Sequence, residues 1–211
     1  TRVRSSAASD VYKRQPLTWE EASPAGPTST DIGIQTLHSI GGENGYAMNN
    51  FPFVGDLSVG SLAGKRQYSI VSFDTSHIPA NVTIDDVTLR VTRNYASAGN
   101  AFRKLGNLVA DIKGGNGFGG SPALQGGDGI ASADASTICT MSTASGPGDI
   151  SEGKVAPAAF QHINRAGRTQ FRLHFSLAAT NPYGTDYVGF FGGQMTNAPE
   201  NRPSLVIVYH A

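Results

Sequence analysis

Two short stretches hold the residues best suited to chemistry. "TRNYAS" carries Arg93 and Tyr95, and "TNPYGT" carries Asn181 and Tyr183. A flat phenol ring can stack on the apolar face of a sugar, and a guanidinium or carboxamide two residues away can select hydroxyl positions. That pairing holds a ligand and does not transform it. Tyr46 and Phe118 are further aromatics in turn-rich sequence. Phe118 lies inside "GGNGFGG", where a lone large ring is expected to anchor its loop in the core.

Other chemistries find no pattern. The histidines are His38, His77, His162, His174 and His210, and no two have a zinc-ligand spacing or form HExxH. No G-x-S-x-G elbow occurs, and "GGNGFGG" lacks the Lys-Ser/Thr of a phosphate loop. Glu20-Glu21, Asp85-Asp86 and the isolated Glu152 are not flanked by the aromatic clusters of a glycosidase cleft. The expectation is no catalytic residue and no metal-binding histidine. Calcium is the one ion the sequence leaves open, because Asp111, Asn116, Asp128, Asp134 and Asp186 sit in or near loops. None has an EF-hand or nonapeptide spacing, so turn formation is the favoured reading. The single cysteine, Cys139 in "TICTM", excludes an intramolecular disulfide and reads as a small buried hydrophobe.

These residues need a scaffold, and composition points to one. Of 211 residues 26 are glycine and only 15% are charged, with no run long enough for a membrane-spanning helix. Residues 1–15 stand apart. "SSAASDVYKRQ" reverse-translates codon for codon into a transposase-type sequencing-library adapter, so this stretch is read as a non-native leader. The natural chain is then expected to continue upstream. Setting the leader aside removes four of sixteen basic residues and one of sixteen acidic ones, which leaves a slight negative balance and no basic field for nucleic acid. Residues 16–30, "PLTWEEASPAGPTST", read as a linker, with Trp19 packing on the domain edge.

From residue 31 to 211 the pattern is that of short strands. "IGIQTL", "GYAMN" and "LSVG" are weak, whereas "RQYSIVSF" alternates clearly. "VTIDDVTLRVTR" switches phase at Asp85-Asp86, which predicts a bulge or strand break. "NLVADIK" and "DYVGFFGG" are further strands. In "RTQFRLHFSL" Phe171, Leu173, Phe175 and Leu177 face inward, and Arg172, His174 and Ser176 face out. "RPSLVIVYH", apolar on both faces, belongs in the middle of a sheet, with Pro203 at its start. A helical turn is expected after Ser121-Pro122 and a short helix in "VAPAAFQHIN". Gly167 is expected to take a positive φ, and Asp74 and Thr75 to bond backbone amides freed at a strand end. The buried set should include Phe73, Leu89, Val91, Phe171, Leu173, Phe175, Leu205 and Ile207. The whole is an all-β fold, an antiparallel β-sandwich of jelly-roll type with one or two short helices.

"RQYSIVSFDTSHIP", "GNLVADIKGGNGFGG", "IN…GRTQFRL" and "NRPSLVIVY", in that order between about Gly45 and Tyr209, resemble a known group. They are similar to the β-sandwich accessory domains at the C-termini of large secreted bacterial proteins. These are the DNRLRE-type domains, some of which are classed as carbohydrate-binding modules of family 96. The DNRLRE string itself does not occur here. The resemblance implies a secreted or cell-surface, non-catalytic domain joined to upstream domains, and implies no particular ligand. Two functions remain open. One is polysaccharide binding, for which Tyr95, Tyr183, Arg93 and Asn181 are the candidate ligand-binding residues. The other is a structural or adhesive role without a small ligand.

Overall fold

The computed structural model describes residues 32–211. The leader (1–15) and the linker with Trp19 (16–30) lie outside the described residues. The strands are β1 (Ile32–His38), β2 (Gly45–Met48), β3 (Phe51–Val54), β4 (Leu57–Leu62), β5 (Lys65–Asp74), β6 (Thr83–Ala98), β7 (Leu108–Gly115), β8 (Ala135–Thr140), β9 (Ile150–Lys154), β10 (Arg168–Phe175), β11 (Asp186–Phe190) and β12 (Ser204–His210). One short helix, α1 (Ala101–Lys104), and three short 3-10 segments complete the described elements.

Every strand pairing is antiparallel. The main path runs β1-β12-β6-β11-β4-β5-β10-β7-β8, with the β2–β3 hairpin attached to β5 and β9 to β6. A sheet of this length must curl, because each strand is twisted relative to the next. The curl brings two layers face to face, as in a β-sandwich. Val87, Leu89 and Val91 of β6 and Leu205 and Ile207 of β12 share one core cluster with Phe73 of β5, Phe171 and Leu173 of β10 and Ile112 of β7. Phe73 and Phe171 meet edge to face at 5.8 Å. All eight residues expected in the core are buried.

Local sequence accounts for several details. Pairing of β6 with β12 slips between Val208 and Tyr209, which leaves Asp85 as the extra residue of a bulge, where the apolar phase switches. β12 lies between β1 and β6, as its two apolar faces require. Asn49 and Asn50 both have positive φ, 53° and 64°, which makes the β2–β3 connection a two-residue type I′ turn. Asp74 accepts hydrogen bonds from the Ser76 amide and hydroxyl, and Thr75 Oγ1 donates to Asn164 O.

Four expectations are corrected. Leu177 is 57% exposed, because β10 ends at Phe175 and the chain turns to bond Leu105 O. Arg172 does not face solvent; it is buried under the 116–134 loop. Ser121-Pro122 begins a bend, and the 3-10 turn forms later, at Gly126–Gly129. Gly167 is not among the residues with positive φ, and its carbonyl instead receives the Thr75 amide. The "VAPAAFQHIN" helix is present as a 3-10 segment, Pro157–His162.

Candidate functional site

The site is built on a second bulge. Along β6, Arg93 pairs with Phe190 and Ser97 with Val188, so Asn94, Tyr95 and Ala96 share the space opposite Gly189. The crowding is relieved by the absence of a side chain at Gly189, where a Cβ would collide with Ala96 O and Asn94 Oδ1. Asn94 locks the bulge from inside. Its Oδ1 accepts the Ala96 amide at 2.8 Å, and its Nδ2 donates to Phe190 O at 3.1 Å and to Asp56 Oδ2 at 3.3 Å. The bulge has two consequences. Tyr95 is thrown outward and is 85% exposed. Arg93 and Ser97, four residues apart, come within hydrogen-bonding distance at 3.1 Å.

Beside the bulge lies a cleft of about 400 Å³ lined by Arg93, Asn100, Thr143, Ser145, Tyr187 and neighbouring backbone. Arg93 also donates from Nη1 to Ala144 O at 2.8 Å, and its Nε is buried without a partner. Among the described residues no carboxylate lies within salt-bridge distance of this guanidinium. The lining therefore offers hydrogen-bond donors and acceptors, one cation, and no acid–base pair.

Sequence reasoning nominated two ring-plus-polar pairs, and the structure treats them differently. Arg93 and Tyr95 lie two residues apart at the bulge, where Arg93 lines the cleft and Tyr95, 85% exposed, is not among its lining residues. Tyr183 is 86% exposed, but its loop packs against the β4–β5 turn, where a Cβ on Gly64 would collide with Pro182. Asn181 spends its Oδ1 on the Tyr183 amide at 2.9 Å, so it shapes the turn. No ring contact joins Tyr95 to Tyr183 among the described residues.

The sequence reading passed over a further aromatic surface. Phe51 and Phe53 of β3 are exposed, and Phe53 stacks on Tyr46 at 4.7 Å with the planes 10° apart. Burial, with a smaller effect from nearby Tyr187, raises the Tyr46 hydroxyl above the usual phenol value. The signal was present in "GYAMNNFPFV", where alternate positions put Tyr46, Met48, Phe51 and Phe53 on one face of the hairpin.

The loop carboxylates considered for calcium are otherwise engaged. Asp134 pairs with Lys113, and Asp186 with Lys104. Asp111 is buried, which pushes its pKa up, but hydrogen bonds from His174, the Thr137 amide and Arg172 outweigh this and hold it at about 2. Asp128 is fully buried, and that burial raises its pKa. Asn116 is exposed at a glycine turn. Among the described residues no three His, Cys, Asp or Glu side chains cluster as metal ligands would. Burial pushes the Cys139 thiol up to about 12, so it is not a thiolate nucleophile at neutral pH. As expected from the sequence, Phe118 is buried, packed in a small cluster with Ile70 and Leu124.

No family model matches the chain, and no curated protein is significantly similar to it.

Proposed function

We propose that this chain is a non-catalytic accessory module of a larger secreted protein and that it binds polysaccharide. The observation that carries the reading is the Tyr95 bulge. The Tyr95 ring is held 85% exposed, two residues along the same bulge from Arg93, which lines a cleft of hydrogen-bonding side chains. Stacking on Tyr95 supplies attraction, and Arg93, Asn100, Thr143 and Ser145 supply hydroxyl selection. One or two rings bury little area, so affinity should fall around 10–1000 µM, about −4 to −7 kcal/mol. Calorimetry of the full chain against xylan, glucan, mannan and uronic-acid polymers tests this, with Tyr95→Ala and Tyr183→Ala beside the parent. Loss of binding in Tyr95→Ala supports the site. Binding to no polymer, or equal binding by both variants and parent, rejects it. Release of reducing sugar that tracks the pure protein would make the chain an enzyme.

One observation favours the structural or adhesive reading. Among the described residues β1 pairs only with β12, and its free edge has no charged residue, no proline and two exposed isoleucines, Ile32 and Ile34. Such an edge is a template for strand addition. The β3 edge differs. Asn44 and Gly55 bond at 3.0 Å, and the alternation of an antiparallel pair then turns the Pro52 nitrogen, which has no hydrogen, toward the open side. Concentration-dependent dimerisation lost in Ile34→Lys, in a chain that binds no polymer, would favour this second reading.

A further inference from the structure

A second groove lies at the tip of the β2–β3 hairpin, away from the Tyr95 bulge. It has a volume of about 240 Å³ and is lined by Asn49, Asn50, Arg66, Tyr68 and Ile130, with bare backbone at Gly126 and Gly129. Its walls are fixed. A Cβ on Gly126 would collide with Asn50 O, so the hairpin turn and the 126–129 turn are pressed together. A Cβ on Gly129 would stand 2.8 Å from the Tyr68 ring. Tyr68 is held from other directions by the Arg66 guanidinium at 5.0 Å and the Arg172 guanidinium at 5.9 Å. Arg66 is anchored in turn on His174 Nδ1 at 3.2 Å and on Phe175 O, both through Nη2.

Rigid walls surround unused polar groups. Among the described residues the Asn49 and Asn50 amides and the Tyr68 hydroxyl make no hydrogen bond, and Arg66 keeps Nε and Nη1 free. Ile130 adds an exposed apolar face, and no carboxylate lines the groove. Planar amides, a phenol hydroxyl and a guanidinium edge around one aliphatic side chain match a pyranose ring, which has a rim of hydroxyls and an apolar C–H face. Tyr68 and Arg66 are held in place before any ligand arrives, which lowers the ordering cost of binding.

We infer that this groove is a second, independent site for a neutral sugar unit, so that one domain grips a polysaccharide at two points. The inference rests on the carbohydrate reading for its ligand class, but not on the Tyr95 cleft for its geometry. From Asn50 to Asp56, which anchors the bulge, the chain runs six residues, so these two anchors lie no more than roughly 20 Å apart. Two weak sites at such a span raise affinity for a polymer over a short oligomer.

The test is NMR titration of the full ¹⁵N-labelled chain with cellohexaose, xylohexaose and mannohexaose. Two groups of amides should shift, one at residues 94–97 and one at residues 48–51 and 126–130. Asn49→Gly with Asn50→Gly keeps the positive φ of the turn and removes only the amides, and Tyr68→Phe removes only the hydroxyl. These variants should weaken the second group at least five-fold, leave the first unchanged, and lower retention on the matching polymer. Shifts confined to residues 94–97, or a second group that the variants leave unaltered, would overturn the second site while the proposed function stands. Shifts confined to the groove would uphold the inference and reject the Tyr95 cleft. No shift with any hexaose would overturn the second site, whose ligand is neutral, and would leave the Tyr95 site only the uronic-acid polymers tested by calorimetry.

Discussion

The two faces of β10 bury side chains by opposite means. Inward, Phe171, Leu173 and Phe175 belong to the main hydrophobic core. Outward, Arg172 is buried as well, beneath the glycine-rich 116–134 loop. Its Nε and Nη2 reach Asp111 Oδ2 at 3.0 and 2.6 Å, its Nη1 reaches Ala131 O and Asp128 O, and its plane lies 4.7 Å from the Phe118 ring. The inner face gains from transfer out of water and tolerates rough fit. The outer face gains only if each charge keeps its partner. Burial and hydrophobicity are therefore separable in this fold. The loop covers a charge, and the charge ties down the loop.

Substitutions on the two faces should sharpen the contrast. Phe171→Ala is expected to cost about 3–5 kcal/mol through lost transfer energy and a cavity. Arg172→Ala is expected to cost a similar amount, about 3–5 kcal/mol, by taking the guanidinium from the buried Asp111 carboxylate and from the Asp128 and Ala131 carbonyls. The faces then diverge. Replacing both Asp111 and Arg172 by Leu and Met should cost less than Arg172→Ala alone, since no buried carboxylate is then left without its guanidinium. No second substitution beside Phe171→Ala should rescue it so fully. Urea unfolding of the four proteins measures this, and a double variant as unstable as Arg172→Ala would break the comparison.

Acid should act mainly on the outer face. Asp111 has a folded pKa of about 2 against an ordinary value of 3.8. A depressed carboxylate stabilises the fold above its unfolded value and loses that contribution as pH falls through its folded value. The expected loss is about 2 kcal/mol between roughly pH 4 and pH 2. Asp111→Asn should flatten that part of the stability curve, and an unchanged acid limb would assign the loss to other carboxylates.

The smallest effect is a gain. Asp128 sits with Oδ2 accepting the Gln125 amide at 2.8 Å and Oδ1 buried without a donor. A Cβ on Gly119 would collide with that Oδ1 and lie 2.8 Å from Gln125 Oε1, so two acceptors converge on one glycine. Burial raises the folded pKa of Asp128, so ionisation above its unfolded value opposes folding. Asp128→Asn keeps the acceptor for Gln125 and adds a donor on the crowded side. A rise of about 0.5–1.5 kcal/mol at pH 7, vanishing toward acid pH, is the expected outcome in thermal melts.

The same contrast marks how far the sequence could be read. Strand positions and inner-face phase were legible, because the apolar alternation in "RTQFRLHF" and the phase switch at Asp85-Asp86 are local signals. The outer face was not. Alternation marks Arg172 as facing away from the core, but nothing local says that residues 116–134 fold back over it. The partner, Asp111, is 61 residues away. The candidate site divided along the same line. Arg93 lines the cleft and Tyr95 stands exposed on the bulge beyond it, whereas Asn181 was consumed by its own turn. The exposed Phe51 and Phe53 were missed because alternate apolar residues in a short strand read as core. Only the tertiary placement of the hairpin leaves them uncovered.

The pairing of β1 with β12 has a topological consequence. Ile32 lies directly opposite His210, so the first and last described strands meet one strand spacing apart, about 4.8 Å. A short glycine–serine bridge could join residue 211 to residue 32 without disturbing either strand. New termini could then be opened at the exposed 146–148 turn. Such a circular permutant would keep every ladder of the sheet while transposing the order of its strands. Equally, the domain can be spliced into a surface loop of a host protein through that one gate, because its two connections leave side by side.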